Sequence, residues 1–422
     1  MIRGHFLFCL LAGSLAIGYL LADLWTAVPV KVFPVLLFSG FLCLVAAVRF
    51  HDGKKFLLAC SLFFIQLGFL RAFLPDVDVS LLPSAVWEWS RGVAHTLLLR
   101  IRSAGLPADV TALLEALLLG ERTGLPEDVR LLYRHAGAAH LLALSGMHLT
   151  LFFGLFRFLL KWLADSLWRL PVALFGILLI WGYVLLTGLP LSLCRAAVML
   201  SVLLVGLMRS GSHDSWHNLG LAALLILLFT PSACYDVGFQ LSFAAVAGIL
   251  LFWPLLTDLL SLQKWRGKWL GDGWAIALSA QLGVLPLLLY YFHAFSFWGI
   301  LFSPLYAFLT MGLMFVAVLF LCFPPYWSLA SLLRLLLLKL VTIQHGIMTL
   351  AVRLPFNDIE PGSFSFLRLV LLYAALCCLL PPLVQLRQNK RLSALHRAVL
   401  FFRSWPCLLA FLTLLVAVML IP

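Results

Sequence analysis

Charge is what this sequence has least of. Only 11% of its 422 residues are Asp, Glu, Lys or Arg. A soluble domain carries about 25%, so this chain has too few charges to cover a water-facing surface. With 64% hydrophobic residues, disorder is excluded as well. The ten-residue alternation of a membrane β-barrel is absent. There is no G-x-x-x-x-G-K-[ST] stretch, so no ATP motor is built in. Neither H-E-x-x-H nor the H-x-H-x-D-H run of a two-metal hydrolase occurs, and the stretch 211–217 does not match the latter. The nine cysteines show no C-x-x-C and no metal spacing, and read as small buried hydrophobes. No metal, no cofactor and no catalytic residue is expected on these grounds. Internal repeats are also missing, so an inverted-repeat transporter gains no support.

Apolar sequence fills the space. Mean hydropathy is +1.08, and apolar runs reach about 20 residues, the length that crosses a bilayer as a helix. The expected fold is an all-α polytopic membrane protein with about 12 or 13 transmembrane helices. Three spans come first, at about 6–23, 32–49 and 56–74. The apolar run 6–22 follows Arg3, but Asp23-Leu24-Trp25 comes next instead of a small-residue cleavage site. It reads as a first span, not a cleaved signal. Residues 76–137 hold eight of the 17 acids and form an external or interface-lying helical segment. Within it, Pro107 with Asp109 opens a helix that Gly120 closes, and Pro126 with Glu127 and Asp128 opens another ended by Gly137. Trp87 and Trp89 suit the lipid headgroup layer. Apolar runs resume at about 138–160 and continue through a core ending near 385. The run 217–230 is short, and 328–352 is ambiguous because it holds Arg334, Lys339 and His345. Residues 386–422 are a basic loop and a final span. Placing the basic loops inside puts the N-terminus in the cytoplasm, and the loop parity then favours a crossing at 328–352. The net charge of +12 fits this positive-inside bias and also fits attraction of a polyanion.

Chemistry-bearing side chains gather at three places. The first is His135–Leu149, with His140, Ser145, Gly146 and His148 near the outer start of a span. Ionisable groups there default to function. Ser145 and His148 are three apart and neighbours on a helix. His140 and His148 are eight apart, too far to chelate a metal as a pair. Gly146 permits close helix approach or a helix break. The second place is Gly188–Met199, where Ser192 and Arg195 follow Pro190 and Arg195 lies about one turn inside the next span. The third is Tyr235–Phe243, with Asp236, Gly238, Gln240 and Ser242. Arg195 and Asp236 fall at similar depth and are expected to pair. Asp236 capping its own helix is an equal alternative. Gln281 and Pro286 in one later span, and Pro304 in the next, are weaker signals of a lined cavity or kink. From the residues alone, polar glue between helices, a pathway lining and a serine nucleophile at Ser145 all stay open.

The stretches Ala116–Arg122 (with Glu121 and Arg122), Arg134–His148, Ser192–Ala196 and Asp236–Phe243, in that order, resemble the ComEC-type competence family. Leu350–Pro355 fits it as well, so the resemblance covers roughly 95–385. It implies a channel that passes single-stranded DNA across the cytoplasmic (inner) membrane of a bacterium during natural transformation. It marks His140, Ser145, Gly146, His148, Arg195, Asp236, Gly238, Gln240 and Ser242 as motif positions, with Glu121, Arg122 and Ser192 as secondary ones; Gln281 is a secondary candidate from the residues alone. On this reading Arg195, His140 and His148 guide phosphates near the entrance. The implied partners are single-stranded DNA, an external DNA-binding receptor, a cytoplasmic helicase-like motor, a separate nuclease and the lipid bilayer. Too few residues separate Leu74 from Trp87 for an OB-like domain, and the sequence ends at Pro422 in an apolar run. The expectation is therefore a short form without the OB-like and metallo-β-lactamase-like domains. A small-solute transporter or channel, an intramembrane serine hydrolase and a family member with only structural work are the alternatives.

Overall fold

The computed structural model describes residues 11–18, 65, 67, 83–150, 153–154, 169–210, 215–259, 268–293, 295–323, 328–355, 358–359, 365–388, 410 and 413. The expected span 32–49, the basic loop from 389, and most of the spans at 6–23, 56–74 and 405–421 lie outside the described residues. In chain order the helices whose two ends lie among the described residues are α1 (Ser84–Arg102), α2 (Ala108–Leu119), α3 (Glu127–His135), α4 (Arg169–Leu186), α5 (Leu191–Ser210), α6 (Ser215–Phe229), α7 (Val237–Leu259), α8 (Lys268–Phe292), α9 (Phe297–Cys322), α10 (Ser328–Arg353) and α11 (Phe366–Gln388). Two-residue strands β1 (Phe295–Ser296) and β2 (Asp358–Ile359) pair antiparallel. The protein is an all-α membrane protein. Val237–Thr257, Gly271–Phe292, Phe297–Cys322 and Leu329–Arg353 are each long and apolar enough to cross a bilayer, while Ser215–Phe229 is one of several shorter apolar helices. Buried residues of α10 recur every three or four positions as a narrow stripe: Ala330, Leu333, Leu337, Val341, Gln344, Met348 and Ala351.

The punctuation of the segment before 138 works as its residues dictate. Pro107 and Pro126 immediately precede α2 and α3. Gly120 ends α2 in the left-handed region at φ +77. Gly137 does the same after α3 at φ +69. There the Gly137 N–H donates to Arg134 O and the Ala138 N–H to Tyr133 O, a complete Schellman cap.

This cap corrects one expectation. The apolar run from 138 does not start a helix: residues 139–141 form a single 3-10 turn, and helix resumes only at Gly146. Apolarity sets what a segment buries, but the Schellman cap ends one helix and Ser145 begins the next.

The chain falls into two compact units. The first holds residues up to Gly124, Ala143–Phe243 and Met314–Arg334. Its core packs Leu144 and Leu149 with Ala173, Ile180 and Val184 of α4 and Leu193, Ala197, Leu200 and Leu204 of α5. A second cluster joins Leu11, Ala12 and Leu15 to Leu224 and Leu227 of α6 and Phe239 of α7. Helix α1 docks on α4 through Ser90 Oγ, which donates to Leu185 O at 2.8 Å. The Tyr183 hydroxyl donates to Leu118 O of α2 at 2.9 Å.

The second unit holds Leu125–Leu142, Ala244–Leu313 and the residues from Leu335. In it α7 and α8 cross on bare backbone. A Cβ on Gly248 would lie 2.5 Å from Ser279 O and 2.8 Å from Gly283 Cα, and one on Gly283 would collide with Ala244 O. Small residues four apart on each helix allow this approach. The Tyr373 hydroxyl of α11 donates to Gly283 O at 3.0 Å, three residues before the helix-interior Pro286. Pro304 lies inside α9, where its missing N–H orphans the Ile300 carbonyl. Ser303 Oγ donates to that carbonyl at 2.9 Å.

Gly283→Ala should therefore destabilise the protein by about 1–3 kcal/mol through overpacking. Thermal unfolding in detergent measures this. Gly273→Ala is the control, because nothing lies within 4 Å of its Cβ position and no loss is expected.

Candidate functional site

Three of the four resemblance motifs meet in the first two turns of α5, and a side chain of one of them reaches the fourth. The turn before α5 is unusual. Gly188 (φ +82) and Leu189 (φ +56) are both left-handed. Pro190 then supplies the first carbonyl, which accepts the N–H groups of Leu193 and Cys194. Three side chains follow at helical spacing. Ser192 Oγ donates to Leu144 O at 2.5 Å. Arg195 reaches Asp236. Ala196 Cβ lies 3.1 Å from where a Cβ on Gly146 would stand, so Gly146 is the residue that admits α5 so closely. The Leu144 side chain extends the chain of contacts: its Cδ1 occupies the space, 2.6 Å away, where a Cβ on Gly120 would be.

Arg195 is 8% exposed. Its Nη1 donates to Asp236 Oδ2 at 2.5 Å. Burying a guanidinium in an apolar bundle is costly unless it is paired and hydrogen-bonded. Asp236 is held from a second direction as well. Its Oδ2 accepts the Phe239 N–H at 2.9 Å and its Oδ1 the Gly238 N–H at 3.3 Å, so it caps the N-terminus of α7. Pairing and capping, expected as alternatives, occur together. Gly238 is part of the same device: a Cβ there would lie 2.6 Å from Arg195 Nη2. Gln240 Nε2 donates to Cys234 O at 3.0 Å, tying α7 to the 3-10 turn Pro231–Tyr235. Ser242 Oγ donates back to Gly238 O at 2.7 Å.

His148 is fully buried. Its Nδ1 accepts the backbone N–H of Ser145 at 3.0 Å and lies 2.9 Å from Ser145 Oγ. An N–H can only donate, so Nδ1 carries the lone pair and the neutral ring holds its proton on Nε2. His148 thus does what Glu or Gln does at the third position of a capping box. The geometry orients a helix start, and the one Nδ1 lone pair faces both the Ser145 N–H and its hydroxyl.

The remaining candidates fall elsewhere. His140 is exposed on the 3-10 turn and belongs to the second unit, as does half-buried Gln281 on α8. Glu121 closes on Thr123, accepting its N–H at 3.1 Å and its hydroxyl at 2.6 Å. Those hydrogen bonds lower its pKa. Arg122 is exposed. Among the described residues no group of three or more His, Cys, Asp or Glu side chains is placed to hold a metal ion.

Residues 117–385 match the family model described as competence protein. The chain belongs to the competence protein family. The matched stretch contains Ser145, Gly146, His148, Ser192, Arg195, Asp236, Gly238, Gln240 and Ser242. ComE operon protein 3 of Bacillus subtilis is 35% identical over 192 residues, which is 45% of this chain and 24% of that one. Competence protein ComA of Neisseria gonorrhoeae is 30% identical over 190 residues, 43% of this chain and 27% of that one. Recombination protein 2 of Haemophilus influenzae is 27% identical over 299 residues, 62% of this chain and 37% of that one. The chain thus covers well under half the length of each of these relatives. No solved structure matches it.

Sequence reasoning missed Leu144 and Gly120 as contact partners within this competence-family core. Leu144 carries no chemical signal, and the space above Gly120 becomes visible only when the two segments are brought together. Gly238→Ala should lower stability by about 1–3 kcal/mol, because its Cβ displaces the guanidinium. In an Arg195→Ala background the same change should cost far less, and equal losses in both backgrounds, by thermal unfolding, would contradict the arrangement.

Proposed function

We propose that this chain forms the membrane route by which single-stranded DNA crosses the cytoplasmic membrane during natural transformation. The observation that carries the reading is the competence family match over 117–385, within which three of the motif stretches converge on one buried polar hub at the start of α5. Of the three relatives described above, one is named a competence protein, one a ComE operon protein and one a recombination protein.

The hub gives Arg195 a different task from the phosphate guide first expected. Its charge is committed to Asp236, so it braces α5 against the start of α7. A polyanion needs a polar, cationic or stacking surface wherever it meets hydrocarbon, and a fixed hub holds the helices that provide one. The chain supplies no ATP site, so directionality comes from a cytoplasmic helicase-like motor. An external DNA-binding receptor delivers the strand, and a separate nuclease removes its complement. The N-terminus lies in the cytoplasm and residues 76–137 outside. No catalytic role is assigned to Ser145, since its His148 partner works as a helix cap.

The test is uptake of duplex DNA carrying a different label on each strand. A deletion strain should admit neither strand, and the restored chain should admit one label and leave the other outside. Normal strand entry in the deletion strain would overturn the reading. Restored uptake of a defined small solute without DNA would replace it with a solute transporter.

A further inference from the structure

A second polar cluster lies in the second unit, on residues outside the motif stretches. Tyr306 and Thr310 are one turn apart on α9, and both are 0% exposed. Thr310 stands at the centre of the 26-residue helix Phe297–Cys322. A helix of that length measures about 39 Å, so Thr310 lies at mid-membrane depth. Its Oγ1 receives Gln344 Nε2 of α10 at 2.9 Å. Gln344, also 0% exposed, is the one polar member of the otherwise apolar buried stripe of α10 described above.

The pairing is part of a regular antiparallel register. Phe295 pairs with Ile359 and Ser296 with Asp358. Trp298 Nε1 donates to Pro355 O at 2.7 Å, and about three helical turns further on Thr310 meets Gln344 in the same register. The same register brings Tyr306 level with Met348, one turn from Gln344.

Two hydrogen-bonding ends in this seam are unused. Tyr306 Oη and Gln344 Oε1 have no partner among the described residues, although both atoms are buried. Turning the amide over does not help, because its nitrogen end is then left instead. Glue between helices explains the Gln344–Thr310 contact but leaves the phenol and half the amide without purpose. A leucine at 344 would pack a dry pair without that penalty. Unmet polar groups in a native interior need an explanation, and those within a membrane default to function.

We propose that the Tyr306–Thr310–Gln344 seam is closed in this structure and opens during transport to offer hydrogen bonds to the bases of the passing strand. The proposal rests on the strand-route reading above. An amide, a hydroxyl and a phenol are neutral donors and acceptors, which suit base edges; phosphates call for cations. The ligand class is therefore nucleobases, met halfway across.

The experiment uses the full chain in membranes, with its native cysteines replaced and strand uptake retained. Thr310→Cys and Gln344→Cys are exposed to a membrane-impermeant thiol reagent with and without a single-stranded oligonucleotide. Labelling at both positions should rise severalfold with the strand, while Leu313→Cys, a fully buried apolar control, stays unreactive. Positions 310 and 344 as inert as 313 in membranes that admit the strand would overturn this inference and leave the route intact. Labelling that responds to a small solute and not to the strand would overturn both. Gln344→Leu provides the second measurement. Strand entry should fall severalfold while thermal stability holds or rises. Full entry, or a loss of stability that accounts for the defect, counts against the proposal.

Discussion

A guanidinium one turn inside an apolar helix must meet an anion, and the arrangement around α5 follows from that requirement. Arg195 cannot reach water at 8% exposure, so Asp236 must be held where the charge needs it. Two backbone N–H groups at the start of α7 hold that carboxylate, and the same bonds satisfy a helix terminus that would otherwise carry orphan donors. Gly238 is the steric consequence, since the guanidinium fills the place of its side chain. The ion pair, the helix cap and the bare glycine are one device. Ser192 and Ala196 on the neighbouring turn extend it to Leu144 and Gly146, and through Leu144 to Gly120.

The same constraint governs the second unit. Without water in the hydrocarbon layer, each freed backbone group needs an internal partner. Ser303 returns the hydrogen bond that Pro304 removes from Ile300. Tyr373 adds a hydrogen bond to Gly283 O, next to the Leu282 carbonyl that Pro286 leaves without its helical donor. Where no polar partner is needed, helices close on glycine, as at Gly248 and Gly283.

Much of the fold was legible because it rests on local rules. Proline before α2 and α3 and glycine after them marked both helices within a residue or two. Low charge and long apolar runs fixed the membrane class. The pairing of Arg195 with Asp236 followed from equal depth, and the cap from an aspartate at a helix start. Legibility ended where structure depends on what another segment brings. The run from 138 has helical composition, yet the Gly137 cap stops the chain there and a histidine at 148 restarts it. The steric demand on Gly238 has no sequence signature. Gln344 was hidden in a segment whose charges at Arg334 and Lys339 drew attention instead. Its placement on a buried stripe emerges from the three-four spacing of its neighbours. The two-residue strands are too short for any periodicity to show.

The central claim is that Arg195 and Asp236 act as one unit. A double-mutant cycle in lipid nanodiscs tests it most directly, comparing Arg195→Ala, Asp236→Ala and the double variant by unfolding free energy. The account predicts strong coupling, with the double variant losing about as much as the worse single one and about 1–3 kcal/mol less than the sum, the exposure of Asp236 to solvent keeping the figure moderate. Additive losses would show that the two charges stabilise the bundle independently and would contradict the account.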